Sequence, residues 1–306
     1  MVRINLEDSG LALHGSGAPV GPELARHMSA TGPVVIMIHG FKFAPGDPRH
    51  CPHRHIFALH DEHACWKAKS WPRELTRQDA DDVLTVAFGW PARGSIWQAY
   101  DRAAQAGRAL AQMITEIRRL MPHRPVHALA HSLGARVVLS ALPHLAPGDL
   151  SRAVLLAGAE LSDRAQTALM THAGRQTEVI SVTSRENRLY DHLLEQAFGR
   201  ANGPAIGRQA PDLPNWLTLP LDCMETLEGL RTLGFDIPPA ERWVCHWSAY
   251  LRPGVFDLYS ALLVRQAPMP LEQLRQSIAT PAPAARGWLR IPQFSLPEMT
   301  LRRASF

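Results

Sequence analysis

Apolar positions along the chain fall into two rhythms. Runs at 34–39, 83–88, 126–130, 153–158 and 178–183 are nearly unbroken apolar stretches, the pattern of strands buried on both faces. A first run at 2–6 and a late one at 216–221 are further candidate strands. Between these runs, apolar residues recur every three or four positions instead. The longest such stretch, 96–120, puts Ala99, Ala103, Ala106, Leu110, Met113, Ile114 and Ile117 on one face and predicts an amphipathic helix. Another helix is predicted over 255–263. Strands alternating with helices imply crossover connections, which run the strands parallel and bring their carboxyl ends to one edge. The expected fold class is α/β, a mostly parallel central sheet flanked by helices.

The rhythm loosens between 199 and 243, where Gly203-Pro204, Pro211, Pro214, Pro220 and Pro238-Pro239 break the chain into short pieces. This stretch is expected to be a small insertion or partial lid within a domain spanning 1–267, with 268–306 a peripheral extension. A length of 306 residues and a hydrophobic content of 46% suffice for one sizeable core. The net charge of +4 does not point to nucleic acid, because the cations are mostly scattered arginines, with Lys42, Lys67 and Lys69 the lysines. The start lacks the apolar run of a signal peptide and no stretch reaches transmembrane length, so a cytoplasmic protein without a membrane span is expected. Cys51, Cys65, Cys223 and Cys245 form no C-x-x-C pair and suggest no disulfide framework.

Candidate chemistry begins at Ala130-His131-Ser132-Leu133-Gly134, where an apolar strand runs into a serine flanked by small residues. A serine hydroxyl becomes nucleophilic when a sharp strand-to-helix turn projects it toward a base, and such a turn tolerates only small residues two positions to either side. Ala130 departs from the usual G-x-S-x-G pattern by one methyl group. The competing reading is a serine that caps the helix beginning near Arg136. Two features favour the nucleophile. Strand 34–39 ends in His39-Gly40, followed by Phe41, and Cys245-His246-Trp247-Ser248-Ala249-Tyr250 places a histidine downstream of the serine, where a Ser, acid, His order requires the base.

With these motifs in view, the chain resembles the α/β-hydrolase superfamily, and within it a little-characterised bacterial lipase or esterase-like branch. The Trp-Pro loop Phe88-Gly89-Trp90-Pro91-Ala92-Arg93-Gly94, then Tyr100-Asp101, and the ending His246-Trp247-Ser248-Ala249-Tyr250 extend the resemblance over roughly 30–265. It implies Ser132 as nucleophile, His246 as base, and an oxyanion hole from the Phe41 and Leu133 amides. His39 is read as structural. His39, Gly40, His131, Arg54 and Trp90 are candidate positions around a bound substrate.

For the triad acid the residues leave alternatives. The superfamily position falls on Asn187, an amide that orients an imidazole without offering it a charge. Glu160, ending the apolar run 153–159, is favoured because a lone carboxylate at the catalytic edge is hard to explain as a surface group. Asp191 and Glu186 are the other candidates, Asp191 also suiting the start of a helix. The expected reaction is hydrolysis of a small carboxylic ester or thioester through an acyl-enzyme, with no cofactor or metal. A noncatalytic scaffold binding a small ligand or a partner protein is the alternative. A third reading is a zinc hydrolase built on His50, Cys51, His53, His55, His60, His63 and Cys65, whose spacing fits no standard ligand pattern.

Overall fold

The computed structural model describes residues 1–60, 65–77, 82–199, 202–265 and 267–278. Its eight strands are β1 (Val2–Glu7), β2 (Gly10–Leu13), β3 (Val34–Ile38), β4 (Leu84–Gly89), β5 (Val126–His131), β6 (Arg152–Leu156), β7 (Glu178–Thr183) and β8 (Trp216–Pro220). The helices are α1 (Val20–Ala25), α2 (Trp71–Leu75), α3 (Ile96–Leu120), α4 (Gly134–Ala141), α5 (Ser162–Leu169), α6 (Arg188–Phe198), α7 (Met224–Thr232), α8 (Ser248–Leu251), α9 (Val255–Leu263) and α10 (Leu271–Ser277).

The strands form one sheet in the order β2-β1-β4-β3-β5-β6-β7-β8. All neighbours are parallel except β1 and β2. β2 is too short for its periodicity to show in the sequence; the two residues Asp8 and Ser9 turn the chain back so that Glu7 pairs with Gly10.

Alternate residues along the strands serve two cores, as the period of two requires. Ile36, Ile38, Ala128, Ala130 and Leu155 pack with α1, α3, α4 and α5 on one face; Val35, Met37, Leu129, Val154 and Leu156 pack with α2, α7, α9 and α10 on the other. α3 buries all seven of the residues that its spacing assigns to one face. A capping box starts it: Ser95 accepts from the Gln98 N–H while the Gln98 side chain accepts from the Ser95 N–H.

The late candidate strand, within the supposed insertion, forms as the parallel edge strand β8, paired with β7 so that Ile180 faces Leu217. The prolines around it lie in its connections, and Pro220 closes its end, where an edge strand tolerates a missing donor. Past residue 267, α10 buries Leu271 and Leu274 in the second core beside Leu230 of α7. The peripheral extension expected from 268 therefore does not begin there, while 279–306 lies outside the described residues.

Candidate active site at the reversal of strand order

From β3 the chain crosses to β4 on one side, whereas β5 lies on the other, so the strand order reverses between β3 and β5. Outside the carboxyl ends of strands at such a reversal, a crevice opens. Ile38 pairs with Ala130 in register, which brings the following residues Gly40 and Ser132 together. A Cβ on Gly40 would lie 2.7 Å from the Ser132 Cβ and 3.2 Å from its Oγ, an approach that requires glycine.

Ser132 adopts φ 55°, the left-handed region that typically costs a non-glycine residue about 1–3 kcal/mol. Surrounding bonds hold it there. Its N–H donates to the Leu156 carbonyl at 3.0 Å, and its carbonyl accepts from the N–H groups of Ala135 at 3.0 Å and Ala159 at 2.9 Å. A Cβ on Gly134 would meet the Ile38 carbonyl at 2.7 Å, which explains the second small residue of the turn. The capping reading of Ser132 does not hold. α4 begins at Gly134 with Leu133 at its N-cap position, and no side chain caps it.

His246 lies in the segment before α8, tied to the serine turn through the residue preceding Ser132. His131 Nε2 donates to the His246 carbonyl at 2.9 Å, with the two rings 4.6 Å apart. Cys245 N–H donates to the Glu186 carbonyl at 3.0 Å, fastening this segment to the turn after β7. That turn carries Asn187, whose Oδ1 is 2.6 Å from His246 Nδ1, while Asn187 Nδ2 donates to Asp191 Oδ1 at 2.9 Å. These bonds fix the tautomer. Asp191 accepts, so the amide nitrogen faces it, Asn187 Oδ1 faces the imidazole, and Nδ1 of His246 must carry the proton. In the neutral ring Nε2 is then the free lone pair.

Burial holds the His246 imidazole well below its ordinary value of 6.5, and the neighbouring His131 and the Lys67 ammonium add to this. An amide at Asn187 carries no charge to oppose them. Behind it, burial and then the Glu195 carboxylate push the Asp191 carboxyl up from 3.8 to about 7. Tyr190 stacks on the His246 ring, 4.4 Å between centroids with planes 22° apart. Tyr190 and Lys67 were not singled out from the sequence; the position of Tyr190 three residues after Asn187, on the helix that follows, is the signal that could have found it.

The expected acid is corrected. Glu160 is 1% exposed and accepts from Tyr100 Oη at 2.5 Å, Arg136 Nη1 at 2.6 Å and the Leu161 N–H at 2.8 Å. A lone carboxylate in the sequence is thus half of a buried ion pair. Glu186 is likewise occupied, accepting from Arg252 Nη2 at 2.7 Å. Asn187 is the side chain at His246, with Asp191 one bond further back.

Other expected positions sort by burial. His39 is wholly buried and stacks on Trp90, 5.5 Å and 5° apart. The Trp90 N–H donates to His39 Nε2 and the Trp90 indole to the His39 carbonyl, both at 3.0 Å, so His39 Nδ1 bears the proton and donates to the Gly40 carbonyl at 2.9 Å. His39 and Trp90 therefore brace the loop from beneath and do not face a substrate. His131 is buried against His246 and Tyr250. Phe41 is half-buried, Leu133 buried and Arg54 exposed.

The histidine-rich loop disperses. His50 pairs with Asp47 at 3.0 Å, while His53 stacks on His14 and bonds Asn5 at 2.8 Å. Among the described residues no group of three His, Cys, Asp or Glu side chains is placed to hold a metal; His63 lies outside them. The four cysteines are free thiols.

A mostly parallel eight-stranded sheet, helices on both faces and a left-handed serine at the strand-to-helix turn beside the reversal make this the α/β-hydrolase fold. Residues 21–157 match the family model described as "Alpha/beta hydrolase of unknown function (DUF900)". Over 149 residues, 42% of the chain, it is 34% identical to the rice (Oryza sativa subsp. japonica) protein "Transmembrane and coiled-coil domain-containing protein STS1". That match spans 22% of the rice protein's length. Among solved structures it is similar to the metagenomic carboxyl esterase MGS0156, with 16% identity, 67% of this chain and 66% of that one covered, and a TM-score of 0.33. It is also similar to the RedJ thioesterase of Streptomyces coelicolor, with 13% identity, 63% and 78% covered, and a TM-score of 0.33.

Proposed function

We propose that the protein is a serine hydrolase acting on a carboxylic ester or thioester. The observation that carries this reading is the left-handed Ser132 packed against Gly40 at the strand reversal, with His246 tied to the same turn through His131 and its Nδ1 facing Asn187. His246 Nε2 takes the hydroxyl proton as Ser132 Oγ bonds to the acyl carbon, and the Phe41 and Leu133 amides receive the oxyanion. The same imidazole returns the proton to the departing alcohol or thiol. It then draws a proton from water, whose oxygen attacks the acyl carbon and frees Ser132.

Asn187 and Asp191 hold the base in place, a two-residue orienting chain where a single carboxylate is usual. The amide favours one second reading, a noncatalytic scaffold that binds a small ligand, because it leaves an imidazolium less stabilised. Intact-mass analysis after fluorophosphonate treatment separates the two. One adduct on the native protein, absent from Ser132→Ala and His246→Ala, is the expected result; a folded native protein that takes no label overturns the hydrolase reading.

A further inference from the structure

Beyond His246 the surface is aromatic and cationic. The Trp247 and His246 ring centres lie 6.0 Å apart edge-to-face, and those of Trp66 and Trp247 5.7 Å apart, so a series of aromatic rings runs from the candidate base to the outside. Trp66 is 54% exposed, Trp243 97% and Val244 50%. Two cations lie on this surface, Lys67 Nζ at 3.5 Å from the Trp247 ring centre and the Arg242 guanidinium at 4.8 Å from that of Trp66. Glu241 is the acid beside them in sequence.

We propose that Trp66, Lys67, Arg242, Trp243, Val244 and Trp247 form a docking rim for an anionic phospholipid surface. Indole rings flanked by long basic side chains suit the boundary between headgroups and acyl chains: the ring bodies sink and the cations stay with the phosphates. The Lys67 ammonium and the Arg242 guanidinium on the rim complement the charge of such a surface. A protein seated on the rim would cover the approach to His246, whereas a lipid surface would supply acyl esters to it. That last step, which makes the substrate a lipid ester, rests on the proposed hydrolase; the docking itself does not.

The test is co-sedimentation of the full chain with vesicles of phosphatidylcholine alone or with phosphatidylserine added. Binding to the phosphatidylserine vesicles, weakened by salt, is expected, and in Trp66→Ser/Trp243→Ser it should fall on the order of tenfold or more. The variant's circular-dichroism spectrum and urea midpoint should match the native chain's, which verifies its fold, and cleavage of a water-soluble short-chain ester should be unchanged. No binding by the native chain, or equal binding by the variant, overturns the rim. So does a native dimer that the variant converts to monomers, since the patch would then be occupied by a second copy. Ser132→Ala should bind vesicles as the native chain does. Binding without any ester cleavage sinks the hydrolase reading and leaves the rim standing.

Discussion

Among the described residues His246 reaches a carboxylate through an amide, and that arrangement sets its working range. A base held below 6.5 is neutral throughout the physiological range, so the acid limb of a pH profile of labelling or turnover should lie below that value. In Asn187→Asp a charged partner would favour the imidazolium and raise its pKa, moving the limb upward by about one pH unit or more. A limb that does not move would remove 187 from contact with the base. At this scale the sequence was legible where a local pattern exists. The turn around Ser132 shows in five consecutive residues, and the histidine shows through chain order. Which of Asn187, Glu160, Asp191 and Glu186 stands at His246 did not show. Glu160 is a lone carboxylate in its own segment, and Arg136, which pairs with it, stands 24 residues away on another element.

Among elements, the Glu160 cluster ties together the layer that carries the serine turn. Tyr100 belongs to α3, Arg136 to α4 and Glu160 to the connection between β6 and α5. Arg136 also donates from Nε to the Tyr100 carbonyl at 2.7 Å and lies 3.5 Å from the Tyr100 ring centre. Removing one charge from a buried pair leaves the other uncompensated, so Glu160→Gln should lose about 3–5 kcal/mol of stability by urea denaturation. Its folded fraction should still take the fluorophosphonate label; loss of label from folded protein would return Glu160 to the catalytic group. The long amphipathic α3 and the apolar strands were legible because each repeats one period over enough residues. β2 was harder to see, since four residues hold too few repeats, whereas β8 showed as an apolar run between prolines without disclosing that it pairs with β7.

Over the whole molecule, buried histidines make stability depend on pH. Burial lowers His39 from 6.5 to about 3, His53 to about 2, and His127 and His131 to about 4. The unfolded chain binds protons on these rings first, so their contribution is present above 6.5 and is lost as pH falls toward those values. The urea midpoint should therefore be lower at about pH 5 than at about pH 7.5. Asp191 acts in the opposite sense. Its carboxyl, raised from 3.8 to about 7, loses stability as pH rises through that window. Asp191→Asn should raise the midpoint at about pH 8 and change it little near pH 4; an equal shift at both would sink this account. The seam between α7 and α10 bears on anyone who trims this chain for expression. A Cβ on Gly229 would collide with the Ser277 carbonyl, so the last described helix lies flush against its neighbour. A gene cut after codon 267 would strip that cover and take Leu271 and Leu274 out of the second core, inviting aggregation.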